Sequence, residues 1–380
     1  MESEVCTMHF FALRKSALTM FMTNIRWRKL PEVTRCLKFT LRNDRTLPFI
    51  GRQQLYQAMC EIIREVQRWG SKHINLFPEP NLTNPSGSKR LFNGTDHLRL
   101  FYPYFVWKHS SYQIDDYETA KEIISKECIN WPLMEFQFAA CYAIQDSLNN
   151  DWKFDKLRRK TIRQQIGDHP VYDFWLSVLD DPVQWKRFFR PDAPLLSQPV
   201  SLILQFAMTN GFIELVKFIW LKISITHQES IGFICWKKIC FRAQHREIVQ
   251  FLCHHLCTIN PTGLARLTWD CFYEKIYKAT LDEDDLSSFD RKDNLHKLGL
   301  LLQSWCPRLR EAMLARENYR AIGDMFRKNR KEEFALFLEY LNHSQLNMAR
   351  DVVDRLFDIK RTTSNRQLRQ MVIRRQNTVG

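Results

Sequence analysis

Hydrophobic residues recur at intervals of three and four along much of the chain, which is the period of an amphipathic helix. This pattern predicts a helix over Gly51–Trp69 and another over Tyr117–Cys128. The apolar positions of the first are Leu55, Met59, Ile62, Ile63 and Val66. Pro31 favours the start of a shorter helix, because its missing N–H would have no partner in the first turn.

The pattern also divides the chain into regions. Residues 71–96 interrupt the helical period with clustered proline, glycine, asparagine and serine, and are predicted to form a loop or linker. A connecting helical region follows at 97–130, and short helical segments then alternate with polar turns over 131–357. We therefore predict an all-α protein with an N-terminal helical region at 1–70, a helical-pair repeat array at 131–357 and a basic tail at 358–380.

Composition supports the all-α prediction. The 380 residues are 45% hydrophobic and 26% charged, which excludes a chain that is disordered throughout. Eleven glycines and 14 prolines are too few for the many tight turns of a β-sandwich or barrel. The net charge of +14 favours anionic partners, such as nucleic acid, acidic protein surfaces or an anionic membrane surface.

The cysteine pattern and the absence of long apolar runs indicate the cellular compartment in which the protein is expected. Eleven cysteines, an odd number, lie scattered in apolar stretches, as expected for buried thiols that are kept reduced. There is no run of about 18 uncharged apolar residues and no pattern of a signal peptide, so no membrane span is predicted. We therefore expect a cytoplasmic or nuclear protein.

The most informative segment is residues 204–219, which reads as two short helices around a turn. Ala207 is small enough for two helices to approach closely, and Gly211 after Asn210 adopts positive φ readily. Glu214 opens the second helix, whose apolar positions form one face. This arrangement resembles the core of an ankyrin repeat.

Two further copies follow the first. In the copy at 241–252, Glu247 lies 33 residues after Glu214, which is the ankyrin period, and His245 occupies the position of that family's turn histidine. A weaker copy at 326–338 places Glu333 another 86 residues on, so the intervening unit is predicted to be enlarged by the acidic loop 281–290.

The resemblance implies stacked helical pairs with an extended concave surface used for binding. The family's Thr-Pro-Leu-His opening is absent from every copy, so a helical-pair solenoid of the HEAT or tetratricopeptide kind remains an alternative. The resemblance further implies that the first helix of each pair and the loop before it carry the partner contacts. The residues predicted to make them are Gln205, Thr209, Lys237, Lys238 and Arg242.

Motifs for catalysis are absent from the sequence. It has no glycine-rich phosphate loop, G-x-S-x-G, H-E-x-x-H or C-x-x-C, so we expect no enzyme, cofactor or small-molecule substrate. Four potential zinc ligands occur close together: Cys253, His254, His255 and Cys257. The two cysteines are four apart on one predicted helix, which favours helix packing over a zinc site, and no metal site is predicted.

These features predict a non-catalytic scaffold or adaptor for a protein partner. The alternative is a nucleic-acid-associated protein that uses its basic patches. One patch is the tail, and the other consists of Lys156, Arg158, Arg159, Lys160 and Arg163. In the tail, an arginine stands three residues before Ser364 and before Thr378, which makes both hydroxyls candidate phosphorylation sites.

Overall fold

The described part of the chain is helical. The computed structural model describes residues 2–25, 30–43, 46, 48–74, 94–149, 154–189, 199–239, 245–272, 295, 298–299 and 301–379. Over these ranges the regular secondary structure is helical, apart from one isolated antiparallel bridge between Trp107 and Ile114. The predicted all-α class is therefore confirmed. The chain divides into two compact units, Met1–Val183 and Gln184–Gly380.

The first unit contains helices of very different lengths. They are α1 (Glu2–Ile25), α2 (Leu30–Asn43), α3 (Phe49–His73), α4 (Asp116–Lys126), α5 (Pro132–Tyr142), α6 (Gln145–Leu148), α7 (Lys156–Ile166) and α8 (Pro170–Asp180). Short 3₁₀ helices cover Gly94–Tyr104 and Cys128–Asn130. The short helix α9 (Val183–Phe188) lies where the two units divide.

The described part of the second unit is a succession of helices. They are α10 (Pro199–Asn210), α11 (Ile213–Trp220), α12 (Ile225–Ile239), α13 (Arg246–Ile259), α14 (Pro261–Phe272), α15 (Pro307–Arg327), α16 (Lys331–Glu339), α17 (His343–Ile359) and α18 (Thr363–Val379). Helix α15 is interrupted at Arg316–Tyr319, where the dihedral angles are non-helical.

The helices predicted from periodicity are present with somewhat different limits. Helix α3 extends the predicted Gly51–Trp69 at both ends, and it continues into the first residues of the predicted 71–96 linker. The residues 75–93 of that linker lie outside the described residues. Helix α4 corresponds to the predicted Tyr117–Cys128, and the Asp115 carboxylate begins it by accepting a hydrogen bond from the Glu118 N–H at 3.1 Å.

The core of the first unit forms around α3, which packs against α1 and α2. The residues that periodicity placed on its apolar face are buried, and Trp69 one turn further along is fully buried as well. Burial of a large side chain of this kind contributes about 1.5–3 kcal/mol. The amphipathic pattern of α3 therefore predicted the buried face correctly.

The second unit is built from packed neighbours. Helix α10 packs against α11 and α12, α12 against α13 and α14, and α15 against α14, α16 and α17. The largest side chains at these contacts include Phe212, Trp220, Trp236 and Phe326, all of which are fully buried. The indole N–H of Trp236 donates a hydrogen bond to the Thr268 hydroxyl at 2.9 Å, which satisfies a buried polar group between α12 and α14.

The turn between α10 and α11 depends on one backbone conformation. Gly211 has φ of +80°, and the next residue, Phe212, donates its N–H to the Ala207 carbonyl at 2.8 Å. Both features are typical of a helix that ends in a left-handed residue. The predicted role of Gly211 is thus observed, and Ala207 is fully buried at the end of α10.

The same turn recurs at two other places in the described residues. Ala143 (φ 51°) precedes Ile144, whose N–H donates to the Ala139 carbonyl at 2.9 Å. Asn329 (φ 54°) precedes Arg330, whose N–H donates to the Met325 carbonyl, also at 2.9 Å. Helices α6, α11 and α16 begin immediately after these turns.

The turn at Asn329 corrects the alignment of the third copy. Asn329 has the positive φ that Gly211 has in the first copy, so Glu332 is the residue equivalent to Glu214. Adjacent glutamates made this ambiguous in the sequence, and alignment on Glu333 was wrong by one residue. Glu333 instead occupies a fully buried position of α16.

Turn residues of the first two predicted copies contact each other. The His245 ring lies against Gly211, and a Cβ added at residue 211 would come within 2.8 Å of the ring carbon Cε1. His245 has ψ of 76°, close to the 72° of Phe212, and directly precedes α13, as Phe212 precedes α11. Residues 240–244, which complete the second turn, lie outside the described residues.

The basic tail forms a packed helix. Helix α18 covers most of 358–380, packs against α16 and α17, and buries Leu368 and Val372 fully. Arg369 binds Asp354 of α17 at 2.6 Å. Part of the tail's positive charge therefore contributes to contacts within the unit.

We expect Gly211→Ala to destabilise the second unit by at least about 2 kcal/mol, because alanine disfavours positive φ and its methyl group would overlap the His245 ring. Thermal unfolding followed by circular dichroism measures the change. Gly70→Ala is the control, since a methyl group added at Gly70 within α3 would meet no atom within 4 Å, and it should be neutral or stabilising. Equal effects of the two substitutions would contradict the prediction.

Candidate binding surface and buried polar clusters

The residues predicted to bind a partner lie on α10 and α12. Gln205 and Thr209 are half-buried on α10, and Lys237 and Lys238 are exposed on α12. The Lys238 ammonium donates a hydrogen bond to the Gln205 side-chain oxygen at 2.9 Å. Arg242 lies outside the described residues. The fold thus joins two of the predicted residues that are 33 positions apart in the chain.

An exposed leucine accompanies this polar pair. Leu202 is 53% exposed and shares a face of α10 with Gln205 and Thr209, because they stand at positions i, i+3 and i+7. We define Leu202, Gln205, Thr209, Lys237 and Lys238 as the α10–α12 surface. Leu202 was missed by sequence reasoning, since its apolar side chain fits the periodicity of a buried face.

The remaining turn residues have local structural roles. The Asn210 amide donates to the Phe206 carbonyl at 2.9 Å, which caps the end of α10. Glu214 accepts a hydrogen bond from Lys217 one turn later at 2.7 Å, and Glu247 lies in the first turn of α13. Acidic residues in these positions interact favourably with the positive end of a helix dipole.

The basic patch on α7 is partly neutralised. Arg159 and Arg163 both bind the Asp180 carboxylate, at 2.8 and 2.9 Å. Lys156 and Lys160 are exposed, as is Arg158. Helix α7 belongs to the first unit and the basic helix α18 to the second.

The two candidate phosphorylation sites lie at opposite ends of α18. Ser364 is in the first turn, where the Thr362 hydroxyl accepts a hydrogen bond from the Asn365 N–H at 3.1 Å. Thr378 is exposed in the last turn and donates its hydroxyl to the Arg375 carbonyl at 2.8 Å. The helix dipole therefore favours negative charge at Ser364, near the N-terminus, and disfavours it at Thr378, near the C-terminus.

A partly buried ionic cluster in the first unit was not predicted from the sequence. Arg68 of α3 makes two hydrogen bonds to Asp116 of α4, at 2.6 and 3.0 Å, and Lys72 donates a third at 2.6 Å. Burial alone would raise the pKa of Asp116, but the charges of Lys72 and Arg68 outweigh it and hold that pKa well below its usual value. Asp116 is therefore ionised and fixes α4 against α3.

A buried histidine lies beside this cluster. His73 Nδ1 lies 2.7 Å from the Trp69 carbonyl and Nε2 lies 2.7 Å from the Tyr142 hydroxyl. Since a carbonyl can only accept, Nδ1 carries the proton and Tyr142 donates to Nε2. Burial, reinforced by the charge of Lys72, lowers the pKa of His73 to about 3. The imidazole is therefore neutral, and its hydrogen-bonding groups are directed at protein partners in the core.

A cluster of three cysteines occurs in the second unit. Cys253 and Cys257 lie one turn apart on α13, and the backbone N–H of Cys306, just before α15, donates to the Cys253 sulfur at 3.1 Å. Over the described residues, no group of three or more His, Cys, Asp or Glu side chains is arranged to hold a metal ion. His254 is exposed and His255 contacts the Trp220 ring, with the ring centroids 5.8 Å apart.

None of the helices in the described part of the chain combines the length and the apolar character needed to cross a bilayer.

Comparisons with known proteins identify no relative: no family model, curated protein or solved structure matches the chain. Functional inference therefore depends on the chemistry of the α10–α12 surface and of the clusters described above.

We expect His73 to make stability fall with acid. Its folded pKa is lowered to about 3 from the ordinary 6.5, so between these values the unfolded state binds more protons and stability decreases as pH falls. The free energy of unfolding should drop by about 1 kcal/mol more between pH 6 and pH 5 in the native protein than in His73→Gln. Urea titrations at pH 6 and at pH 5, followed by hydrogen exchange of the α3 amides, measure the two free energies of unfolding.

The exposed His343 provides the control for that experiment, because His343→Gln should leave the difference between pH 6 and pH 5 as in the native protein. An unchanged slope in His73→Gln would contradict the assignment of a buried neutral imidazole.

We expect negative charge at the two ends of α18 to have opposite effects. Ser364→Asp should stabilise the second unit and Thr378→Asp should destabilise it, each by about 0.3–1 kcal/mol at low ionic strength. Thermal unfolding at low and high salt measures both, with Ser364→Asn and Thr378→Asn as uncharged controls. Effects of the same sign for the two aspartates would contradict the helix-dipole argument.

Proposed function

We propose that this chain is a non-catalytic scaffold or adaptor that binds a protein partner on the concave face of an ankyrin-like helical array. The partner would contact the first helices of successive pairs, α10 and α12, through the α10–α12 surface. The contact between turn residues His245 and Gly211 of successive copies supports stacking of this kind.

The observation that carries the proposal is the hydrogen bond between Lys238 and Gln205 at 2.9 Å. The two residues are separated by 33 positions, the period of the repeat, so they occupy equivalent places on adjacent first helices. Helices α10 and α12 pack directly against each other. Side chains of two repeats therefore form one continuous surface.

The chemistry of this surface indicates the kind of partner. Lys237 and Lys238 supply positive charge, while Leu202 supplies an exposed apolar side chain on the neighbouring helix. Apolar residues surrounded by polar ones are typical of protein interfaces. We therefore propose a partner segment with acidic residues around an apolar anchor.

The cysteines support an intracellular location. All eight for which the structure describes the side chain are free thiols, as is usual in the reducing cytosol and nucleus. Cytoplasm, nucleus or both are accordingly proposed as the compartment.

The nucleic-acid alternative has weaker support from the contacts. Arg159 and Arg163 neutralise Asp180, and Arg369 binds Asp354, so these arginines have acidic neighbours that compete with phosphate. Nucleic-acid binding is therefore the competing hypothesis, which the oligonucleotide-binding experiment below tests.

The test is charge reversal of the α10–α12 surface. The double variant Lys237→Glu with Lys238→Glu should lower recovery of specific partners from cell extract by about tenfold or more. The introduced carboxylates would repel the acidic residues of the proposed partner segment. Quantitative mass spectrometry of co-purified proteins measures recovery. The control, Lys360→Glu with Arg366→Glu, makes the same charge change at exposed positions near the start of α18 and should leave recovery unchanged.

Equal recovery by both double variants and the native protein would overturn the assignment of the surface. In parallel, anisotropy of labelled oligonucleotides over a salt series tests the alternative. Micromolar or tighter binding near physiological salt, with a steep logarithmic dependence on salt, would favour a nucleic-acid-associated protein instead.

A further inference from the structure

The cysteine cluster brings together residues that are remote in the chain. Cys253 is fully buried on α13, while Cys306 is half-buried and directly precedes Pro307 at the start of α15. The backbone N–H of Cys306 donates to the Cys253 sulfur at 3.1 Å, so that sulfur lies against the main chain of Cys306. Cys257, one turn along α13, is also half-buried.

The environment distinguishes the three sulfurs. Hydrogen bonding with Cys253 lowers the pKa of Cys306 to about 5 despite partial burial, and Cys257, the first-turn backbone and His254 act in the same direction. Burial raises the pKa of Cys257 to about 11, with Arg308 opposing it. Hydrogen bonding with Cys306 and burial raise the pKa of Cys253. Of the three sulfurs, Cys306 is therefore the one whose surroundings lower its pKa.

We propose that Cys306 and Cys253 form a redox pair, in which the more exposed Cys306 thiol reacts with hydroperoxides and Cys253 is its resolving cysteine, so that oxidation forms a Cys253–Cys306 disulfide. This proposal is independent of the partner-binding function. It follows from the approach of the Cys306 backbone to the Cys253 sulfur, and from the partial exposure of Cys306 at the start of a helix.

The chemistry proceeds in two balanced steps. The Cys306 sulfur attacks one peroxide oxygen, the O–O bond breaks and the other oxygen leaves as water or an alcohol after taking up a proton, which gives a sulfenic acid. The Cys253 sulfur then attacks the Cys306 sulfur and loses its proton, while the sulfenic oxygen leaves as water. Two thiols are oxidised to one disulfide, and one hydroperoxide is reduced.

The bond would connect α13 with the start of α15 across 53 positions of sequence. The segment between them contains the predicted acidic loop 281–290, which lies outside the described residues. Oxidation would therefore tie together the two helices on either side of the enlarged unit. Reduction by a dithiol would reverse it.

Peptide mapping of the full chain tests the proposal. After one equivalent of hydrogen peroxide, non-reducing trypsin digestion should link peptide 247–266, which contains Cys253 and Cys257, to peptide 298–308, which contains Cys306. Cys257→Ser should retain this link and Cys306→Ser should abolish it. Cys253→Ala should leave Cys306 as a sulfenic acid that dimedone traps, provided circular dichroism shows a native helical content.

A second measurement needs no substitution. At pH 5.5 an ordinary thiol is almost wholly protonated, so iodoacetamide should label Cys306 about tenfold faster than the half-buried Cys36 in the native protein. Equal labelling rates would overturn the assignment of Cys306 as the reactive thiol. Absence of the linked peptides, or a link through Cys257 that persists in Cys253→Ala, would overturn the role of Cys253.

Discussion

A residue in the left-handed backbone region, placed between two helices, is the constraint on which the paired helices depend. At Gly211 it reverses the chain and lets Phe212 donate its N–H five residues back to Ala207. The reversal brings the apolar faces of α10 and α11 together, so that Phe212 itself becomes fully buried. The absence of a Cβ then makes room for the His245 ring, which lies against Gly211 from the residue before α13.

Burial of charge has the corresponding role in the first unit. The carboxylate of Asp116 lies between Arg68 and Lys72, and removing it would take from the buried Lys72 ammonium the carboxylate that lies 2.6 Å away. Such a cluster requires one geometry, because its strength depends on short distances and on desolvation. It therefore specifies how α4 packs on α3, whereas apolar contacts alone would tolerate small shifts.

The two proposals for the second unit depend on different kinds of contact. The scaffold proposal depends on a surface hydrogen bond between Lys238 and Gln205, which lie 33 positions apart on α12 and α10. The thiol proposal depends on the contact of the Cys306 backbone with the Cys253 sulfur, 53 positions away on α13. Because they involve different residues and different chemistry, each can fail without affecting the other.

The sequence by itself determined the helical class, most of α3 and the turn at Gly211, because helix periodicity and positive φ are decided by residues within about four positions of one another. Only the tertiary structure decided the alignment of the copy at Asn329, the packing of the basic tail, and the partners of Asp116 and Cys306. These features join segments tens of residues apart. Their geometry depends on how whole helices pack, which no local pattern of residue types encodes.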